Sequence, residues 1–232
     1  MVEPDKEIQF MSPVHFYRVA VNDIHVWKFP VANADVSYLS ESEKELARRF
    51  YFESDRNRFV VGRQAIRFLL SKYLSVNPAE IVITGEKGQK PVISSPALPI
   101  HFNISHSRDL VLIAIGGKQL GVDLEKIDPA FDYTALLEEH FSEAEREFIA
   151  VAQDPLKTFY FLWTRKEALT KAWGTGLLEN LKEVSALETN TRTDNEKKSW
   201  NVKSFYADQE YPAAISYSSD SVNFIFLDGN SL

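Results

Sequence analysis

Cysteine is absent from all 232 residues. That one absence removes disulfides, thiolate metal sites and cysteine nucleophiles together, so any metal must be held by oxygen or imidazole. It also means that no oxidising compartment is required. Long apolar stretches are missing too. The longest, Leu110 to Ile115, is far too short to cross a bilayer. The opening MVEPDKEIQF is charged and has no apolar core, so it does not read as a signal peptide. The expectation is a soluble, cytoplasmic protein with no membrane partner. Dense lysine or arginine clusters are lacking as well, and a net charge of −7 repels nucleic acid on average. A polyanionic ligand would need cations gathered locally.

What is present suits a folded globular protein. Hydrophobic residues at 44 % and charged residues at 25 % argue against bulk disorder. The length fits one large domain or two small lobes sharing a core. Asp23 to Phe29 alternates as a strand. Ser40 followed by Glu43 is a capping-box pattern opening a helix to Arg49. Apolar residues at helical spacing run from Asp55 to Leu74 and stop before Asn77-Pro78. Ile81 to Thr84 reads as a short strand, then Gly85 to Pro91 as a loop.

Leu110 to Ile115 reads as a buried strand, Gly116-Gly117 as a tight turn with positive φ, and Leu120 to Lys126 as the returning arm of a hairpin. Helical stretches follow near Tyr133 to His140 and from Ser142. A longer helix spans Asp154 to Trp173, with Asp154 as cap, Pro155 at the first position and Gly174 as stop. Glu188 to Lys198 is polar and reads as a surface loop. Strand-like runs around 200–206, 213–217 and 222–227 close the chain. This mixed order favours an α+β fold. A faint internal echo links residues 62–74 with 164–177.

Several patterns carry chemistry. On a strand, Asp123 and Glu125 share a face with α-carbons about 6.5–7 Å apart, close enough to grip one hard cation through oxygen. The same alternation describes a solvated face opposite a buried one, and on spacing alone that arrangement is the commoner. Glu145 follows Ser142 by three residues, which a capping box explains completely. Glu167 and Lys171 lie four apart on one helical face with Trp163. That is either a surface ion pair or a third metal carboxylate beside a cation for phosphate. The stretch His101 to Ser107 offers hydroxyls and imidazole either to a phosphate or to a local turn. Lys90 is a lone basic residue on a loop.

Order and content together resemble one family. GVDLEKI at 121–127, FSEAE at 141–145 and WTRKEALTK at 163–171 are similar to the signature motifs of the 4'-phosphopantetheinyl transferases. RRFYFESDRNRF at 48–59, QKP at 89–91 and FNISHS at 102–107 resemble further segments of the surfactin-synthetase-activating branch. The resemblance implies a fold of two similar α/β lobes in pseudo-twofold arrangement, residues 1–117 and 118–232, with coenzyme A in the cleft between them. It implies Mg2+ held by Asp123, Glu125 and Glu167, and coenzyme A phosphates met by Lys90, Ser105, His106, Lys166 and Lys171, with Arg58 at the nucleotide. Glu145, Glu167 and Lys171 would be catalytic. The implied partner is an apo acyl or peptidyl carrier protein of fatty acid, polyketide or nonribosomal peptide biosynthesis, and a monomer would suffice. The chain departs from the family's frequent pattern where Gln89 precedes Lys90, and from some relatives where Glu43, Glu45 and Leu46 stand in place of lysines that hold the ribose 3'-phosphate, a contact that would fall to Arg48 or Arg49 here. Two other readings use the same residues: a magnesium-dependent nucleotide phosphohydrolase, and an adaptor that binds without turnover.

Overall fold

Ser40 and Ser142 each open a helix by the same reciprocal device. The serine hydroxyl accepts the N–H three residues on, and the glutamate there accepts the serine N–H, so two orphan donors are satisfied at once. The computed structural model describes residues 8–13, 17–32, 34–85, 90–96, 99–174, 181–188, 190–192, 199–218 and 221–232. In chain order its elements are β1 (Asp23–Pro30), α1 (Glu41–Arg48), α2 (Glu53–Leu74), β2 (Val82–Thr84), β3 (Val92–Ser95), β4 (His101–Ser107), β5 (Leu110–Gly116) and β6 (Leu120–Leu124). Then come α3 (Thr134–His140), α4 (Glu143–Ala150), α5 (Pro155–Trp173), β7 (Asn190–Arg192), β8 (Ser199–Asp208), β9 (Tyr211–Tyr217) and β10 (Asn223–Asp228). The fold mixes helices and strands, as expected. Among the described residues, no helix is long and apolar enough to cross a membrane.

Two four-stranded sheets carry the core, in the orders β10-β1-β5-β4 and β6-β9-β8-β7. They pack face to face. Ile24, Val26, Leu112 and Ala114 of the first sheet form one cluster with Leu120, Val122, Leu124, Phe205 and Ile215 of the second. The outer face of the first sheet (Trp27, Ile113, Ile115) packs on Ile66, Leu69 and Leu70 of α2. The outer face of the second, through Val202 and Ala214, packs on Ala168, Leu169 and Ala172 of α5. The layers therefore run helix, sheet, sheet, helix. Covering both faces of β5 explains why it reads as a continuous apolar run. Gly121 lets α5 sit close: a Cβ there would lie 2.2 Å from the Ala168 carbonyl oxygen.

The hairpin is not where its local signals put it. β5 pairs with β4 on one side and β1 on the other, so both its edges are taken, and β6 pairs instead with β9 in the second sheet. The tight turn joins β4 to β5, with Arg108 at φ 48. Gly116 and Gly117 do not adopt positive φ; among the described residues Gly174 is the glycine that does, at φ 78. HFNISHS is thus a strand rather than a turn. The polar stretch after 188 holds β7 where it is described, and residues 193–198 lie outside the described set, as do 86–89 of the Gly85–Pro91 loop. The last strand, β10, returns to run parallel to β1.

Candidate active site

β4 and β6 are edge strands of different sheets, and side chains rather than a backbone ladder join them. Alternation on β4 sends Asn103, Ser105 and Ser107 one way and Phe102 and Ile104 toward α2. The Asn103 side-chain oxygen Oδ1 accepts the Val122 N–H at 2.8 Å. Ser105 Oγ donates to Asp123 Oδ1 at 2.8 Å, and Ser107 Oγ donates to Glu125 Oε2 at 2.7 Å. Ser107 Oγ also accepts the Lys126 N–H at 3.0 Å. Asp123 is 3 % exposed, so the reading of its face as solvated is excluded.

From the far side α5 brings Glu167 and Lys171. Lys171 Nζ donates to Asp123 Oδ1 at 2.6 Å and to Ser105 Oγ at 2.9 Å, closing a triangle across three elements. The acids are near enough to govern one another. Burial first, then the charge of Asp123, pushes both Glu125 and Glu167 up to about 7. Burial alone would lower the Lys171 ammonium, but Asp123, then Glu167 and Glu125, hold it above its ordinary value. Two buried carboxylate oxygens, Asp123 Oδ2 and Glu167 Oε1, have no hydrogen-bond partner among the described residues. Among the described residues, no three acidic or imidazole groups are closed around one point at metal-holding spacing; the ammonium of Lys171 sits among the acids instead. Unpartnered oxygens in an all-oxygen donor set nevertheless fit a small hard divalent cation.

The raised carboxyls make stability depend on pH. A carboxyl raised in the folded state contributes its stability fully below its unfolded value of 4.5 and loses it as pH climbs through about 7. The melting temperature in chelator should therefore fall between about pH 5 and pH 8, and Glu125→Gln should flatten that fall. Scanning calorimetry across the range checks this, and a level wild-type profile would contradict the crowding of these acids.

The other expected residues divide. Ser105 joins the acids. His106, next to it, is exposed; partial desolvation and then the cations Lys171 and Arg58 lower its imidazole, which puts both within electrostatic reach. Arg58 donates to the Arg108 carbonyl at 3.3 Å and pairs with Asp55. Lys90 donates to the carbonyl of Leu120, at the start of β6, and burial lowers it to about 8. Beside Glu125 opens a cleft of about 280 Å³ whose lining includes Ser107, Arg108, Tyr160 and Trp163.

Lys166 and Glu145 need correction. Lys166 is wholly buried, and its ammonium is spent on the carbonyls of Leu181 and Val184 and on Glu145 Oε2. No donor is left for a phosphate. Glu145 is also 0 % exposed, and besides Lys166 it accepts the N–H groups of Ser142 and Ala186. Its carboxylate has no open side for a reacting hydroxyl. Conversely, Ser107 and Asn103 were not singled out. The period-two alternation of HFNISHS carries the signal that would have found them.

Residues 119–216 match the family model described as the 4'-phosphopantetheinyl transferase superfamily, and residues 30–117 match the model for the N-terminal part of a 4'-phosphopantetheinyl transferase. The chain is 31 % identical over 207 residues to the 4'-phosphopantetheinyl transferase HetI of Nostoc sp., covering 84 % of this chain and 87 % of that protein. It is 35 % identical over 142 residues to a 4'-phosphopantetheinyl transferase of Bacillus subtilis, covering 60 % and 62 %. With the 4'-phosphopantetheinyl transferase Sfp of Bacillus subtilis it shares 32 % over 145 residues, covering 61 % and 63 %.

Proposed function

Because the chain belongs to the 4'-phosphopantetheinyl transferase superfamily, we propose that it moves the phosphopantetheine arm of coenzyme A onto a serine of an apo acyl or peptidyl carrier protein, releasing 3',5'-ADP. In this reading Asp123, Glu125 and Glu167 hold Mg2+, which when bound supplies positive charge to the pyrophosphate oxygens. The observation that carries it is the group of acids, Asp123 buried and Glu125 and Glu167 half-buried, with oxygens that lack a partner among the described residues, capped by Lys171 and served by the β4 hydroxyls.

The attack displaces the β-phosphorus from its bridging oxygen, so negative charge gathers on the departing α-phosphate. Lys171 faces that charge with an ammonium already fixed by Asp123 and Ser105, at no reorganisation cost during the reaction. His106 and Arg58 meet the phosphates and nucleotide from the α2 side. Lys90, near the end of α5, adds charge where burial has already stripped part of its water. With Glu145 engaged internally, Glu167 is the catalytic carboxylate of this chain that takes the serine proton.

The accompanying view of the fold is two similar lobes, 1–117 and 118–232, in pseudo-twofold relation with the site at their junction. What supports it is that each sheet carries one long helix on its outer face and that the acids lie where β4 meets β6; β10 crosses back to the first sheet. A cytoplasmic monomer completes the proposal.

The test is incubation with coenzyme A, Mg2+ and several apo-carriers, followed by intact mass measurement. The expected result is a carrier heavier by one phosphopantetheine arm, with 3',5'-ADP released in equal amount. Free phosphopantetheine or phosphate with an unmodified carrier would mean hydrolysis and overturn the proposal.

A further inference from the structure

Glu145 and Lys166 pair at 2.9 Å with both side chains wholly excluded from solvent. A buried ion pair is weak evidence for stability, because apolar side chains of similar volume often do as well. What such a pair supplies is direction, and here each partner reaches a different element. Glu145 Oε2 accepts the Ser142 N–H at the start of α4, 2.8 Å away, and Oε1 accepts the Ala186 N–H at 2.7 Å. Lys166, in the middle of α5, donates to the carbonyls of Leu181 and Val184 at 2.8 and 2.7 Å. Its neighbour Arg165 donates to the Ala186 carbonyl at 2.6 Å and to Ser204 Oγ of β8 at 2.8 Å. Consecutive residues of α5 are thereby pinned to α4, to segment 181–186 and to β8. Each helical residue turns about 100° from the last, so fixing 165 and 166 fixes where 167 and 171 point.

We propose that Glu145 and Lys166 are positioning residues, a buried pair that sets the rotation of α5 and so holds Glu167 and Lys171 at the site, and that neither touches substrate. This rests on the transfer reading above. The pair acts through α5, on groups it does not itself contact.

The test uses the full chain, with Mn2+ as a metal probe read by electron paramagnetic resonance without coenzyme A or carrier, alongside transfer kinetics. Lys166→Met leaves the Glu145 carboxylate buried and unpaired. It is expected to weaken Mn2+ binding about fivefold or more and to lower kcat. The charge-free double variant Glu145→Gln/Lys166→Met is expected to bind Mn2+ more tightly than Lys166→Met and to transfer within about tenfold of wild type. Removing a proton acceptor costs about 10²–10⁴-fold. A double variant with wild-type Mn2+ affinity but transfer more than about 100-fold slower would therefore make Glu145 a reacting group and overturn the proposal. Wild-type Mn2+ affinity and rate in Lys166→Met would overturn it equally. Should Lys166→Met not fold, the affinity and rate of the double variant decide alone. A wild-type protein that neither binds Mn2+ nor transfers would defeat the transfer reading instead, which is a separate result.

Discussion

Asp123→Asn is expected to slow transfer by about 10³-fold while leaving the protein folded. Asp123 stands at the centre of the site: Oδ1 accepts from both Ser105 and Lys171, and Oδ2 is buried with no partner among the described residues. Its charge acts on Glu125, Glu167 and Lys171 alike. The amide keeps the shape and can still accept from Ser105 and Lys171, so the seam between β4 and β6 survives. What disappears is a buried negative charge. In our reading it is the one on which the cation depends most, because burial and the charge of Asp123 favour the protonated form of the other two carboxyls. The variant also relieves those carboxyls of repulsion, so its apo melting temperature should fall less steeply with pH than that of the wild type. Transfer followed by intact mass, beside circular dichroism, checks both halves. Turnover within tenfold of wild type would remove Asp123 from the site.

The sequence was informative wherever a signal is local. Both capping boxes are two-bond devices confined to four residues, and both appear as read. Asp154, Pro155 and Gly174 bound α5 because capping, fixed φ and positive φ are properties of those residues themselves. Strand pairing is different. The run at β5 and the glycines after it describe a hairpin arm equally well whichever neighbour it takes, and the choice fell to β4 and to β1, more than eighty residues earlier. Nothing near β10 announces a parallel partner at the other end of the chain. The alternation of Asp123 with Val122 was visible, but alternation cannot say whether the polar face meets water or another sheet's edge. Ser107 and Asn103 decide that, and they reach β6 only after the sheets have packed.

The helix motif holds a finer lesson. Lys166 and Lys171 both follow from the resemblance as phosphate contacts, yet helical periodicity separates them. Lys171 lies four residues from Glu167 and so shares its face, whereas Lys166 is turned about 100° away. That turn sends one ammonium to Asp123 and the other into the protein, onto Leu181, Val184 and Glu145. The period was legible; which face would be covered was not, because segment 181–186 closes over it from further along the chain. Glu145 shows the reverse case. Its capping role was complete from spacing alone, and burial added two further partners, the Ala186 N–H and the Lys166 ammonium, rather than an exit to substrate.

Lys171→Met should separate two roles that one ammonium performs. Without it, Asp123 Oδ1 keeps only the Ser105 hydroxyl, and Asp123, Glu125 and Glu167 lose the cation that raises no objection to their charge. Breaking a fully buried pair costs about 3–5 kcal/mol; the Lys171 side chain keeps 29 % of its surface exposed, so the lower end applies. The apo variant should therefore lose about 3 kcal/mol through the broken Asp123 pair, and more at pH 8 than at pH 5, where Glu125 and Glu167 take up protons and add no repulsion of their own. Saturating Mg2+ should restore the melting temperature, because a divalent cation replaces the missing charge among the acids. It should not restore turnover, which is expected to stay about 10²–10³-fold low, since a cation on the carboxylates does not reproduce a donor aimed at the departing phosphate. Calorimetry and transfer assays on the same samples with and without Mg2+ read the two effects independently. If Mg2+ brings back rate and stability together, Lys171 serves only as a counterion that holds the acids in place, and charge on the leaving group must be met by Lys90, Arg58 or His106 instead.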